Sequence, residues 1–269
     1  MNNHVLYENG VQAFNDGNIA LAKEIWESLA LNGDADAQIK MGDLYFRDPG
    51  LKKDHSEALF WYRKAAAQKS AQGLLMVGYF FQHGFGVDEN LDQAIEWYKK
   101  AANYDSAKAC FNLGVIYNNR LIKMAPFTFG NQEDALEAVA WFLTGAELGH
   151  PESQSMIGLQ YCGVGHLKED FGKALHWLRL AAPKVPEAMG ALANLYAHGK
   201  GVLVNKKIAF VLYRLAFMSE KYQQSAAGQS SINDYEILMA SMSEEEIELC
   251  MQQYHSIKNE KNALETLGI

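Results

Sequence analysis

Cysteine is scarce in this chain. Its 269 residues hold three, Cys110, Cys162 and Cys250, widely separated and without a Cys-x-x-Cys. That excludes a disulfide framework and argues against a metal site, leaving free core thiols, as in a reducing cytoplasm. Clustered lysine and arginine are missing too, and the net charge is −8. A nucleic-acid binder needs a basic footprint, so nucleic acid is not an expected partner. The densest apolar run, LLMVGYFF, is far too short to cross a bilayer. The opening MNNHVLYENGVQ lacks a basic stretch followed by an apolar one, so no secretory signal is expected there. About half the residues are hydrophobic, enough to bury a core.

Catalytic signatures are equally sparse. There is no His-Glu-x-x-His, and no two of the eight histidines share a helix turn at ligand spacing. Gly-x-Ser-x-Gly and Ser-x-x-Lys are both absent. The Gly-x-Gly turns in HGFGV, CGVGH and HGKGV do not continue as Gly-x-Gly-x-x-Gly after a strand. They read as helix stops that use glycine's access to positive φ. We expect no catalytic residues, no metal and no cofactor.

What the chain does have is repetition. Trp61, Trp97, Trp141 and Trp177 are spaced 36, 44 and 36 apart, and Leu212 follows at 35. Three residues before each stands Ala58, Ala94, Ala138, Ala174 or Ala209. Four after stands Ala65, Ala101, Gly145, Ala181 or Ala216. These offsets share one helical face, so each copy predicts a helix that buries its Trp or Leu between two small residues. One turn upstream lie Asp54, Asn90, Asp134, Asp170 and Asn205, and Asn18 in a divergent first copy. The alternation of Asp with Asn reads as N-capping rather than acid chemistry, with Glu57, Gln93 and Glu137 placed for capping boxes. A second helix precedes each of these. It carries Gly42, Gly78, Gly114, Gly158 or Ala193, then an aromatic three residues on. Mid-helix glycine costs about 1 kcal/mol relative to alanine, so its recurrence predicts a close helix contact.

The unit is therefore helix A, a glycine turn, helix B and a short link. One such hairpin cannot bury its own apolar face, but stacked copies can. The expected fold is all-α: an α/α solenoid of about six helix-turn-helix repeats over residues 1–222, then a linker and capping helices over 223–269. The stretches AQIKMGDLYF…DHSEALFWYRKAA, LLMVGYFFQHGFGVDENLDQAIEWYKKAA and CFNLGVIY resemble Sel-one-like repeats, relatives of the tetratricopeptide class. The resemblance implies a protein-interaction scaffold. Family members serve in signalling, in protein quality control and as bacterial factors or immunity proteins that neutralise toxic effectors. Some cysteine-rich secreted members are assigned β-lactamase activity, but their paired cysteines are absent here, so that activity does not carry over.

Where the copies differ, three features stand out. The third copy is longer: Tyr117 to Asp134 takes seventeen residues where four other copies take nine. The extra stretch carries Leu121, Ile122, Phe127 and Phe129, which either bind a partner or fold back on a neighbour. By resemblance, the A helices line a concave groove. Its stripe includes Leu75, Met76 and Tyr79, then Phe111, Asn112 and Val115, then Leu159, polar at both ends and apolar between. It reads either as a groove for a partner helix or peptide or as stacking surface. The third feature is the tail. SEKYQQSAAGQSSIND reads as a linker or poor helix, and the stretch opened by Ser243 and Glu246 reads as a capping helix. A dimer or membrane-surface helix is the alternative reading of that stretch.

The functional expectation is a monomeric, non-enzymatic, cytoplasmic adaptor that binds one protein partner, basic or presenting an apolar helix, with no membrane contact. The alternatives are a β-lactamase-like hydrolase and a structural or regulatory subunit.

Overall fold

A computed structural model describes residues 3–47, 53–124, 132–260 and 262–269, with only the backbone of 121–124 and 132. Among the described residues the chain is helical with no strand, an α/α solenoid built of antiparallel helix pairs. The pairs are α1 (Asn3–Asn15) with α2 (Ile19–Leu31), α3 (Ala35–Arg47) with α4 (His55–Ala67), and α5 (Ala71–His83) with α6 (Leu91–Ala102). Next come α7 (Ala107–Met124) and α8 (Gln132–Glu147), α9 (Pro151–Leu159) with α10 (Phe171–Ala181), and α11 (Pro186–His198) with α12 (Lys206–Ala216). A π turn, Gln160–Val164, continues α9. The tail adds α13 (Glu220–Gln223), α14 (Ala226–Ala240), α15 (Glu244–Ile257) and α16 (Ala263–Thr266). Packing divides the chain into two compact units, Met1–Leu113 and Gly114–Ile269.

The recurring glycines are where the helices of a pair meet. A methyl group at Gly42 would lie 2.5 Å from the Tyr62 ring, and one at Gly78 would lie 2.8 Å from that of Tyr98. In the second unit, Gly114 receives Phe142 at 2.6 Å and Gly158 receives Leu178 at 2.7 Å. These partners correct one expectation. Trp97, Trp141 and Trp177 are only half buried, although Trp61 and Leu212 are enclosed. The fully enclosed residue is the next one along: Tyr62, Tyr98, Phe142, Leu178 or Tyr213. One residue is a 100° turn, so the residue after the tryptophan is the one aimed at helix A.

The N-caps form at five of the six expected positions, but Glu57 and Gln93 do not complete the expected capping boxes. Side chains of Asn18, Asp54, Asn90, Asp170 and Asn205 accept bonds of 2.9–3.2 Å from the backbone N–H three residues on. Asp134 does not cap: α8 begins two residues earlier and places it inside the first turn. Glu137 is likewise diverted, since its carboxylate accepts from the Trp141 indole at 2.8 Å. The nine-residue spacing also has a cause. The cap's own N–H donates back to the helix-A aromatic carbonyl: Asp54 to Tyr45, Asn90 to Phe81, Asp170 to Tyr161 and Asn205 to Tyr196, at 2.8–3.0 Å. Replacing Asn90 by alanine should cost about 1 kcal/mol, read as a lower urea midpoint.

Of the two readings of the tail, linker or poor helix, the described residues form helix. Residues 226–240 form α14, capped by Ser225, whose Oγ accepts from the Gly228 N–H at 3.0 Å. The polar composition hid it because its anchor lies outside it: Tyr222 is buried, and its phenol bonds Ser231 at 2.7 Å. Helix α15 has the expected capping box, and Cys250, Tyr254 and Ile257 are buried.

Candidate functional site

The A-helix stripe is the candidate surface, and the first unit shows how it is built. Where helix B supplies a tyrosine, its hydroxyl passes the glycine and reaches the stripe. Tyr62 donates to Asp43 Oδ1 at 2.7 Å, and Tyr98 donates to Gln82 Oε1 at 2.6 Å. Asn112 also hydrogen-bonds the Tyr98 oxygen. Where helix B supplies Phe142 or Leu178 instead, the residue after the receiving glycine is Val115 or Leu159. Asp43 and Gln82 thus serve hydroxyls that helix B sends past its glycines, because a buried hydroxyl favours a partner.

Burial drives the Tyr62 phenol far above its ordinary pKa of 10.0, and the Asp43 carboxylate adds to the shift. Burial raises Tyr98 too, against the Asn112 bond, which lowers it. In the unfolded chain both phenols ionise near pH 10. Their contribution is therefore complete below that pH and is lost as pH rises past it toward the folded values. Each tyrosine should remove up to about 1.4 kcal/mol of stability per pH unit above 10. Urea midpoints between pH 8 and 11 should fall less steeply in Tyr62→Phe than in the wild type.

The named stripe residues separate in exposure. Leu75 and Met76, at 4% and 6% exposure, are core and present no surface. They lie on the side of α5 covered by packed helices, which a stripe drawn through α5 alone does not show. Tyr79, Phe111 and Asn112 in the first unit are half buried, as are Val115 and Leu159 in the second. Leu121 and Ile122 continue α7 in its last turns, and only their backbone is described. Phe127 and Phe129 lie outside the described residues.

Around Tyr79 the structure gathers an aromatic group that the sequence reading did not assemble. Its ring is 6.1 Å from Phe46, 6.0 Å from Phe85 and 4.2 Å from the imidazole of His83. Phe85 lies 5.4 Å from Phe46 and 4.8 Å from His55, joining two successive repeats. Arg47 sits 5.0 Å over Phe46. His83 Nδ1 is 3.0 Å from the Tyr79 carbonyl, so the neutral ring carries its proton on Nδ1. The available signal was the middle residue of Gly-Phe-Gly: the other turns carry Val164, at 73% exposure, or Lys200. Gly84 and Gly86 at φ +65° and +67° let Phe85 fold back, and Gly86 abuts the His55 backbone.

This arrangement offers apolar and aromatic contact and little chemistry. Burial raises all three thiols, Cys162 to about 11, and so holds them protonated. Among the described residues no group of three His, Cys, Asp or Glu side chains is placed to hold a metal ion. No described helix is long and apolar enough to cross a membrane.

A family model for the Sel1 repeat matches residues 35–70, 71–103, 107–150, 151–182 and 186–219. The chain belongs to the Sel1 repeat family. Each of these Sel1 repeats opens at or beside an A helix; the α1/α2 hairpin precedes the first match. Over 67 residues the chain is 36% identical to Protein sel-1 homolog 2 of Mus musculus, covering 24% of this chain and 10% of that protein. Over 54 residues it is 41% identical to the ERAD-associated E3 ubiquitin-protein ligase component HRD3 of Candida glabrata, covering 20% of this chain and 6% of that protein. A protective antigen of uropathogenic Escherichia coli strains that displays an SLR fold superposes with a TM-score of 0.71 at 26% identity. That match covers 92% of this chain and 51% of the antigen. A Sel1 repeat protein from Oxalobacter formigenes superposes at 0.69 with 23% identity, over 88% of this chain and 100% of that one. The chain thus spans about half the antigen's length and a tenth or less of the two sequence relatives.

Proposed function

We propose that this Sel1 repeat protein is a non-enzymatic adaptor that holds one protein partner on its A-helix stripe. The carrying observation is the half-buried aromatic surface of the first unit, Phe46, Tyr79 and Phe85, left over after the repeated residues have been used in packing. Aromatic side chains of this kind anchor interfaces. Phe111 and Asn112 extend the surface within that unit, and Val115 and Leu159 are the second unit's counterparts. Leu121, Ile122, Phe127 and Phe129 of the long third link belong to the same proposal. The net charge of −8 favours a basic partner and faster encounter with it. Three free, protonated thiols support action in a reducing compartment and speak against a cysteine nucleophile.

The test is affinity capture of tagged protein, with Tyr79→Asp and Phe111→Asp run beside the wild type. One protein should be retained by the wild type and weakened at least tenfold by each substitution. Undiminished capture by both variants would show that the partner sits elsewhere. A toxic effector as the captured protein would narrow the role to immunity. Purified protein should leave nitrocefin uncleaved; turnover would return the hydrolase reading.

A further inference from the structure

The last helix pair is built differently from those before it. Helix α14 packs on α11 and α12, as a next helix A would, but α15 packs directly on α12, a contact that no successive pair of B helices makes among the described repeats. Yet α14 and α15 scarcely touch, whereas the helices of the α3/α4, α5/α6, α9/α10 and α11/α12 pairs lie along one another. A cleft of about 440 Å³ opens there, within the second unit. Its lining includes Met218, Tyr235, Met239 and Tyr254, with Arg214. The volume falls in the range of small-molecule sites, which form between helices in this way. Met218 is 54% exposed, a flexible apolar side chain presented to solvent.

Arg214 decides what the cleft would take. Its guanidinium lies 5.1 Å from the Tyr254 ring centroid, and its Nε is buried without a hydrogen-bond partner. Among the described residues no carboxylate forms an ion pair with it, although Glu236 also lines the cleft. The guanidinium also hydrogen-bonds the Tyr235 hydroxyl, so the site joins a largely apolar lining to one arginine that no described carboxylate pairs. We infer that this cleft binds an aliphatic monocarboxylate of medium chain length, its chain among the methionines and tyrosines and its head on Arg214. A planar carboxylate matches the guanidinium fork, and the Glu236 carboxylate elsewhere on the lining disfavours any ligand that brings more than one negative charge. A doubly charged phosphate would be left half compensated in an apolar setting.

The experiment uses the full chain with ¹³C-labelled methionine methyls, titrated with decanoate. The Met218 and Met239 signals should shift, while those of Met41 and Met76, enclosed in the first unit, stay in place. By calorimetry, decanoate should bind more tightly than octanoate, by about fourfold per added methylene. Decyltrimethylammonium should bind at least tenfold more weakly than decanoate. Arg214→Gln should lose about tenfold in decanoate affinity, and Arg214→Lys, which keeps the charge but not the fork, should recover only part of that loss. Met218→Trp, at an exposed position that spares the fold, should narrow the mouth and weaken binding. Three results would each overturn the inference: no saturable binding below millimolar decanoate, equal affinity for the cationic amphiphile, or shifts confined to other methionines.

Discussion

Tyr98→Ala should lower the stability of this protein by about 3–5 kcal/mol, the range for emptying a buried aromatic site. Trp97→Ala, one residue away, should cost only about 1–2 kcal/mol. Tyr98 is fully enclosed, packed on Gly78 and bonded to Gln82. Trp97 is half buried, with the Lys100 ammonium 4.4 Å over its ring. The larger side chain therefore contributes less because it buries less. The Phe142→Ala and Trp141→Ala pair should repeat the order in the second unit. Thermal or urea unfolding reads the difference directly. A larger loss at tryptophan than at its neighbour would show that the tryptophans form the core after all.

The second large effect lies on the other side of the same contact. Gly78→Val should destabilise by about 3 kcal/mol, the upper part of the overpacking range. A new Cβ would stand 2.8 Å from the Tyr98 ring and 3.3 Å from the Ala94 carbonyl oxygen, and valine adds two more carbons. Better helix propensity does not rescue it, because that gain is about 1 kcal/mol at most. Gly172→Ala provides the opposite sign. That glycine is exposed in the first turn of α10, and a methyl there meets only the Asp170 carboxylate at 3.4 Å. It should stabilise by about 0.5–1 kcal/mol. The two residues of the contact are also coupled. In a Tyr98→Ala background the ring is gone, so Gly78→Ala should become neutral or stabilising. A double-mutant cycle should then return a coupling above about 1 kcal/mol, whereas additive effects would mean the pair does not touch.

The solenoid was legible because its signals are local. Capping residues, glycine turns and the spacing of small and bulky residues each act within one hairpin, and their repetition reports stacking without any long-range calculation. The capping box of α15 was visible for the same reason. Asp134 misled because the longer third link let α8 start earlier, and a cap residue is only a cap at the helix boundary.

The sequence by itself determined the repeat, its helices, most caps and the absence of recognisable catalytic motifs, since each depends on residues a few positions apart. Tertiary structure alone decided which bulky residue of each B helix faces its glycine, a choice separated by one residue and 100° of rotation. It also decided that Asp43 and Asn112 serve buried tyrosines, that Leu75 and Met76 are core, and that Phe46, Tyr79 and Phe85 meet. Those facts join residues from different helices and repeats, and no periodicity along one helix carries that information. The Arg214 cleft belongs to the same class: it exists because α14 and α15 both pack on α12 and not on each other.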